Sequence, residues 1–307
     1  MRIVEYIVRL LMWLLSLLPL KLHYVLSVIL AWIAERLLHY RIHDVTVNLA
    51  RSFPDKDYSE LREIRHRFYR HFGEIIAESV WFGGTRPRRL HRSRIVEIEN
   101  SAELASLYET SPGVMVLMSH AGNWELIGGM ASYVYNGEPV CFTEQNFVVV
   151  YRRQSSSMWD RILRDNRRAP LIDRKGFRGY VESGDIMRYA FEHKGEKKIY
   201  NFITDQYPYF ESPSHIKVDF MHQETVAMKG AAALACKFGM AVCFLSMRQE
   251  GRGHYKVKFV PVCTDASAKS PEWVTREYYR LLQADIEAQP WNYLWSHRRW
   301  KQFYQIN

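Results

Sequence analysis

The chain has 307 residues, 48% hydrophobic, 14% aromatic and 24% charged, with 42 Lys and Arg against 33 Asp and Glu for a net charge of +9. That apolar share excludes intrinsic disorder, and four cysteines, none in a C-x-x-C pair, exclude a disulfide-stapled scaffold. Cys141, Cys236, Cys243 and Cys263 read as reduced core residues in a reducing compartment, and the basic excess points to an anionic partner, be it nucleic acid, lipid or an acidic carrier protein.

Residues 1–40 differ from all that follows. Leu10 to Leu20 is an uncharged run of 11 residues, and a second run spans Leu22 to Ala34. Neither reaches the ~20 apolar residues of a transmembrane helix. No small-x-small cleavage site follows, so the segment is expected to stay attached. One reading is a helix from Ile3 to Leu20 that spans a bilayer, with Glu5 and Arg9 near one face. Another is two helices hinged at Pro19 and lying in the interface. A buried helix pair is the third. The division expected is a membrane-anchoring segment, 1–40, and a catalytic unit, 41–307.

After Arg41 the chain reads as one continuous globular unit. Asp57–Phe82 is an amphipathic helix with Leu61, Ile64, Phe68, Phe72, Ile75, Ile76 and Val80 on one stripe. A basic segment follows (Arg86, Arg88, Arg89, Arg92, Arg94), then a strand at Ile95–Ile98. The predicted series continues with a strand at Val114–Met118, a helix at Asn123–Val134, a strand at Pro139–Phe142 and a long basic helix from Phe147 to Arg167. Strands at Lys198–Ile203 and Ile216–Phe220, a helix at Thr225–Phe238, strands at Val242–Met247 and Tyr255–Val260, and a helix at Glu272–Ala288 complete it. Such alternation predicts an α/β fold, a central mixed β-sheet flanked by helices. The alternating Val257-Lys258-Phe259 and Val218-Asp219-Phe220 predict some antiparallel edge strands.

The sharpest local feature is Val114-Met115-Val116-Leu117-Met118-Ser119-His120-Ala121-Gly122-Asn123-Trp124-Glu125. An apolar strand ends in a histidine, a small-residue turn follows, and a helix opens carrying a carboxylate. His120 is thus placed at the carboxyl end of a strand, where open α/β sheets put their sites, beside a helix N-terminus that can receive an anion. Glu125, one turn in, is expected to hydrogen-bond one ring nitrogen and leave the other as a general base toward an alcohol. The chain has no G-x-S-x-G elbow and no ligand pair at metal-binding spacing. Direct attack of a deprotonated hydroxyl on an activated acyl group fits best.

H-x4-E after a strand resembles the glycerolipid-type acyltransferases. The longer string His120-Ala121-Gly122-Asn123-Trp124-Glu125 resembles the lipid A biosynthesis (late, lauroyl/myristoyl) acyltransferase family in particular. Asn48-Leu49-Ala50-Arg51-Ser52-Phe53-Pro54, Tyr151-Arg152, Arg174-Lys175-Gly176, Asp205-Gln206 and Trp295-Ser296-His297-Arg298-Arg299-Trp300-Lys301 resemble further motifs of that family in order and spacing. The chain departs from it at Tyr207-Pro208-Tyr209-Phe210, where the family is Gly-rich, which puts donor chain length in doubt.

The resemblance implies a glycerolipid-acyltransferase-like fold behind a hydrophobic helical anchor, on the cytoplasmic side of a bacterial inner membrane. It implies transfer of a fatty acyl chain from acyl carrier protein to a hydroxyl of a lipid A precursor, without cofactor or metal. His120 would be the general base and Glu125 would orient it. Arg152 would hold an oxyanion or phosphate, or be a solvated helix residue. Asp205 and Gln206 would shape the site, or close a turn with Pro208; Asn123 joins this substrate-binding group. Trp295 to Lys301 would contact a membrane or phosphate, or, preferably, pin the C-terminus through Trp300 with the arginines solvated. The basic helix Phe147–Arg168 and the segment Arg86–Arg94 would suit the carrier protein or an anionic membrane; no nucleic-acid-binding fold is recognisable. Other hydroxylated lipids are alternative acceptors, and a non-catalytic anionic-lipid-binding protein is the alternative from another class.

Overall fold

The computed structural model describes residues 2–138, 140–208 and 215–300. Helices α1 (Arg2–Ser16) and α2 (Leu20–Trp32) meet at Pro19, which caps α2 from an extended conformation. Helix α2 runs on through a π-turn (Ile33–Leu37), and α3 (Ile42–Ser52) follows. The hinged pair, not a continuous Ile3–Leu20 helix, is therefore the form this segment takes, because proline removes the donor a continuous helix needs.

Helix α4 (Tyr58–Gly84) organises the N-terminal third. It begins with a capping box in which the Glu60 N–H donates to Asp57 Oδ1 at 2.9 Å and the Asp57 N–H to Glu60 Oε2 at 3.0 Å. Its predicted stripe is buried at Ile64, Phe68 and Ile75, while Ile76 is exposed. Helices α1, α2 and α3 all pack on α4, so it also buries His71, Glu74 and Glu78. The α2 contact is close at Gly73, where a Cβ would come 2.7 Å from the Ser27 carbonyl oxygen.

On α1, Glu5 turns toward the protein, where Arg161 Nε lies 3.1 Å from its Oε2, and Arg9 pairs with Asp165 at 2.9 Å. With Glu5 and Arg9 paired inward, α1 presents Ile3, Ile7, Leu10, Leu11 and Leu14 outward, and α2 adds Val25, Ile29 and Trp32. Among the described residues no single helix is long and apolar enough to cross a membrane; Leu20–Leu37 with Ile42–Ser52 passes such a test only as a pair bent by 89°.

Beyond α4 the elements are α5 (Pro87–Ser93), β1 (Val96–Ile98), α6 (Ser101–Thr110), β2 (Val114–Met118), a 3₁₀ segment (Trp124–Ser132), β3 (Phe147–Tyr151), α7 (Ser157–Arg167), β4 (Tyr180–Glu182) and α8 (Ile186–Glu192). Then come β5 (Ile199–Ile203), β6 (His215–Phe220), β7 (Gln223–Met228), α9 (Gly230–Phe238), β8 (Ala241–Gly251), β9 (His254–Cys263) and α10 (Pro271–Ala288). A seven-stranded sheet runs β1-β9-β8-β2-β5-β3-β4, parallel except for the β8/β9 pair; β6 and β7 form a separate antiparallel hairpin. The mixed α/β sheet and its antiparallel strands agree with the sequence reading. Strand β2 is buried on both faces: Val114, Val116 and Met118 join one core, Met115 and Leu117 the other.

Several predicted elements are corrected. Phe147–Arg167 is a strand followed by a helix, because Val148-Val149-Val150 is a β-branched run that pairs with β5, and Ser156 caps a new helix start. Thr225–Phe238 divides into β7 and α9 at Lys229. The predicted α-helix at Asn123–Val134 is 3₁₀, with Gly128 and Gly129 in its middle. Val140–Phe142 is not a strand, and Pro139 lies outside the described residues. Of the four free cysteines only Cys243 is fully buried, while Cys141 is exposed.

Gly73→Ala is expected to destabilise the fold by about 1–3 kcal/mol through overpacking. A lowered thermal midpoint with faster proteolysis near Pro19 would place that loss at the α2–α4 contact.

Candidate active site

Strands β2 and β5 are parallel neighbours whose partners lie 85 positions apart, from Val114 opposite Ile199 to Met118 opposite Ile203. Continued two residues past both strands, the same offset sets His120 opposite Asp205. The meeting is direct: His120 Nδ1 lies 2.7 Å from Asp205 Oδ1, and the His120 backbone N–H donates to Oδ2 at 3.0 Å. One carboxylate therefore holds both the ring and the backbone of the histidine. Asp205 is 2% exposed. Burial alone would raise its pKa, but the adjacent imidazole and its two hydrogen bonds outweigh burial and hold it below the ordinary value.

With Nδ1–H given to Asp205, Nε2 is the acceptor nitrogen, and it lies 3.2 Å from the Gln206 amide nitrogen. The Trp124 ring stands edge-on to the imidazole at 5.0 Å. Phe68, His71, Phe72, Trp124, Asn292 and Leu294 close around His120 and leave too little space between them for a water molecule. Two of the residues given a shaping role in the sequence thus become the histidine's immediate partners.

Glu125 takes another place. Among the described residues no hydrogen bond joins it to the imidazole. Its Oε2 accepts from Arg167 Nε at 2.6 Å, and its Oε1 from Arg167 Nη2 at 2.9 Å and from Trp124 Nε1 at 3.2 Å. Burial would lower the Arg167 pKa, and the Glu125 charge and hydrogen bonds more than reverse this. The expected His120–Glu125 bond is not formed because Glu125 lies on a 3₁₀ turn facing the end of α7.

The turn between His120 and Asn123 is clamped from the C-terminal side. Gly122 has φ +61°, and a Cβ there would come within 2.5 Å of Met247 Cγ, so only glycine fits without displacement. Its N–H donates to Asn292 Oδ1 at 2.9 Å, and Ala121 bridges Tyr293. The Tyr278 hydroxyl donates to the Met118 carbonyl at 2.9 Å. Asn123 is fully buried and gives its amide to Glu78 Oε2 at 2.8 Å, so its side chain points into the interior. Arg152 is exposed just beyond the carboxyl end of β3, the strand next to β5.

The remaining motifs are structural in this geometry. Arg174 donates to the carbonyls of Thr85 and Ala169. Asn48 Nδ2 donates to the carbonyls of Trp295 and His297. Trp300 is buried and donates to Thr225 Oγ1 at 2.6 Å, as a pinning role requires. Arg299, read as solvated, is 1% exposed and donates to the Tyr279 hydroxyl at 2.7 Å; Arg298 pairs with Asp44 at 3.0 Å. Tyr209, Phe210 and Lys301 lie outside the described residues. Sequence reasoning missed Glu78, Arg167, Tyr278 and Asn292, whose only sequence signal is a polar residue on a helix or loop. Among the described residues no three His, Cys, Asp or Glu side chains gather as a metal site.

Glu125→Ala strands a part-buried guanidinium and is expected to cost about 1–3 kcal/mol of stability. Adding Arg167→Met should return part of that loss in thermal unfolding.

The family model for bacterial lipid A biosynthesis acyltransferases matches residues 1–302. No curated protein matches the chain.

Proposed function

The chain belongs to the bacterial lipid A biosynthesis acyltransferase family, and on that premise we propose that His120 is the general base that transfers an acyl group from acyl carrier protein to a hydroxyl of the lipid A precursor. The observation that carries this reading is the His120–Asp205 bond at 2.7 Å, which makes Nε2 the basic nitrogen. Nε2 takes the proton of the acceptor hydroxyl as its oxygen attacks the thioester carbonyl. The tetrahedral intermediate collapses to the ester, and the imidazolium returns the proton to the leaving thiolate. Asp205 stabilises the imidazolium through that step.

Gln206 covers Nε2 in the free enzyme and yields its place to the acceptor hydroxyl. Glu125 orients the imidazole at one remove, through Trp124, whose indole N–H it accepts and whose ring abuts His120. Arg152 would meet the developing oxyanion or a substrate phosphate, both of which suit a guanidinium's fixed fork of donors.

For location, the reading is a chain lying on the cytoplasmic face of the inner membrane. Helix α1 has 15 residues, about 22 Å of helix at ~1.5 Å per residue, short of a ~30 Å hydrocarbon core. Its exposed apolar face and inward charges suit an interfacial position. Next to the α1–α2 turn lies α5, where Arg89 donates to the Ser16 and Leu18 carbonyls, and Arg86, Arg88 and Arg92 are exposed. Lipid headgroups are the natural counterpart of a basic surface continuous with an apolar one. By contrast, Arg161 and Arg167 of α7 are paired with Glu5 and Glu125, which removes them from a docking role for an acidic carrier. The four free cysteines accord with a reducing compartment.

The test is acyl transfer from labelled acyl carrier protein to a tetra-acylated lipid A precursor. His120→Ala and Asp205→Asn should each lower kcat by about 10²–10⁴, the range for loss or misorientation of a general base. Transfer that survives both substitutions would sink the mechanism. No transfer by the wild type would instead point to another donor or acceptor.

Leu14→Glu with Val25→Glu and Ile29→Glu should release the chain from vesicles of anionic lipid in a sedimentation assay. Retention of the triple variant would contradict the interfacial seat.

A further inference from the structure

Behind the site lies a carboxylate that the transfer chemistry does not use. Glu78, on α4, is fully buried and accepts three hydrogen bonds from three separate parts of the chain. Its Oε1 accepts from the Tyr24 hydroxyl of α2 at 2.9 Å. Its Oε2 accepts from the Asn123 amide at 2.8 Å and from the Tyr255 hydroxyl of β9 at 2.9 Å. Among the described residues no cation bonds to it. Arg252, which lies over the Tyr24 ring, is instead paired with Glu74 at 2.7 Å.

Asn123 is the far end of the turn that begins at His120, and Gly122 between them is already held in a left-handed conformation. The Asn123 amide has one partner: its Oδ1 makes no hydrogen bond among the described residues, and its Nδ2 goes to Glu78. His120 is therefore held on one side by Asp205, and the end of its turn on the other by Glu78. Tyr24 lies on the helix whose outward face is apolar, close to the Gly73 contact that seats α2 on α4. A hydrogen-bonded line thus runs from the anchor helix through Glu78 to the turn that carries the imidazole. An aliphatic residue would fill the same volume without the cost of burying a carboxyl, but it would hold none of the three donors.

We propose that Glu78 is a positioning residue that fixes the His120 turn through Asn123 and, through Tyr24, makes the orientation of His120 depend on the seating of α2. This rests on the reading of His120 as the general base. When α2 is seated, the Tyr24 hydroxyl holds the carboxyl in the rotamer that receives Asn123. When α2 is displaced, that hold is lost and the turn loosens. Burial pushes the Glu78 carboxyl up to about 7, against the three donors that pull it down, so a neutral amide is a close stand-in for it.

The experiment measures kcat and KM in anionic vesicles for Glu78→Ala, Glu78→Gln, Tyr24→Phe, Asn123→Ala and the Tyr24→Phe/Asn123→Ala pair, with thermal unfolding of each. Glu78→Ala should lower kcat about 10²-fold, the scale for a reacting group misplaced by ~1 Å, with KM nearly unchanged. Glu78→Gln should restore kcat to within a few-fold, because its oxygen can accept from Asn123 and Tyr255 and its amide can donate to the Tyr24 oxygen. Tyr24→Phe should lower kcat about fivefold, the worth of one hydrogen bond, and add nothing once Asn123 is Ala, since both act along one line. If Glu78→Ala does not fold, the Tyr24→Phe/Asn123→Ala comparison decides. Additive effects there, or variants that melt earlier but keep the wild-type kcat, would overturn the proposal. Persistent activity of His120→Ala in the same vesicles would overturn the reading of the base instead.

Discussion

The structure depends most on the level ending of two parallel neighbours, β2 and β5. Their register is set far from the site, by Val114, Val116 and Met118 filling one core and Met115 and Leu117 the other. A one-residue slip would turn each set to the wrong face, so the packing of the sheet enforces the register. The same constraint delivers His120 and Asp205 to a common edge, where a 2.7 Å hydrogen bond chooses the tautomer of the ring. The chemistry of the site thus follows from how the strands pack, with the turn after β2 and the segment around Asn292 closing around it.

Helix α4 is the second organiser. Its apolar residues bind α3 and the sheet, while its Gly73 allows α2 to approach closely enough for Tyr24 to reach Glu78. The N-terminal helix pair is in this way bonded to the body of the fold. The inward pairing of Glu5 with Arg161 and of Arg9 with Asp165 has the same effect on α1. The outward face of α1 is free of Glu5 and Arg9 because both have partners on the protein.

The two carboxylates near the imidazole divide their work. Asp205 touches the ring, whereas Glu125 is committed to the part-buried Arg167 guanidinium and reaches the ring only through the Trp124 indole.

Much of this was legible in the residues. The amphipathic period of α4, the apolar run of β2, the proline hinge at residue 19 and the sheet-end position of His120 are local signals, and each stands in the structure. So does the family assignment, which rests on short strings kept in order along the chain. What one-dimensional reading missed is pairwise. The Phe147–Arg167 stretch reads as a basic helix until β5 is available to pair with Val148 and Val149. Glu125 has the right spacing to serve His120, yet Arg167 lies closer to it, and Asp205, 85 positions from His120, arrives only through strand register. The sequence by itself determined which segments are apolar, that a histidine stands at the end of β2 and which ends of strands carry polar groups, since those follow from side-chain chemistry and period. Only the tertiary structure decided which carboxylate holds the imidazole and that Glu78 bonds both α2 and the turn after His120, because hydrogen bonds act over about 3 Å and that proximity is created by packing alone.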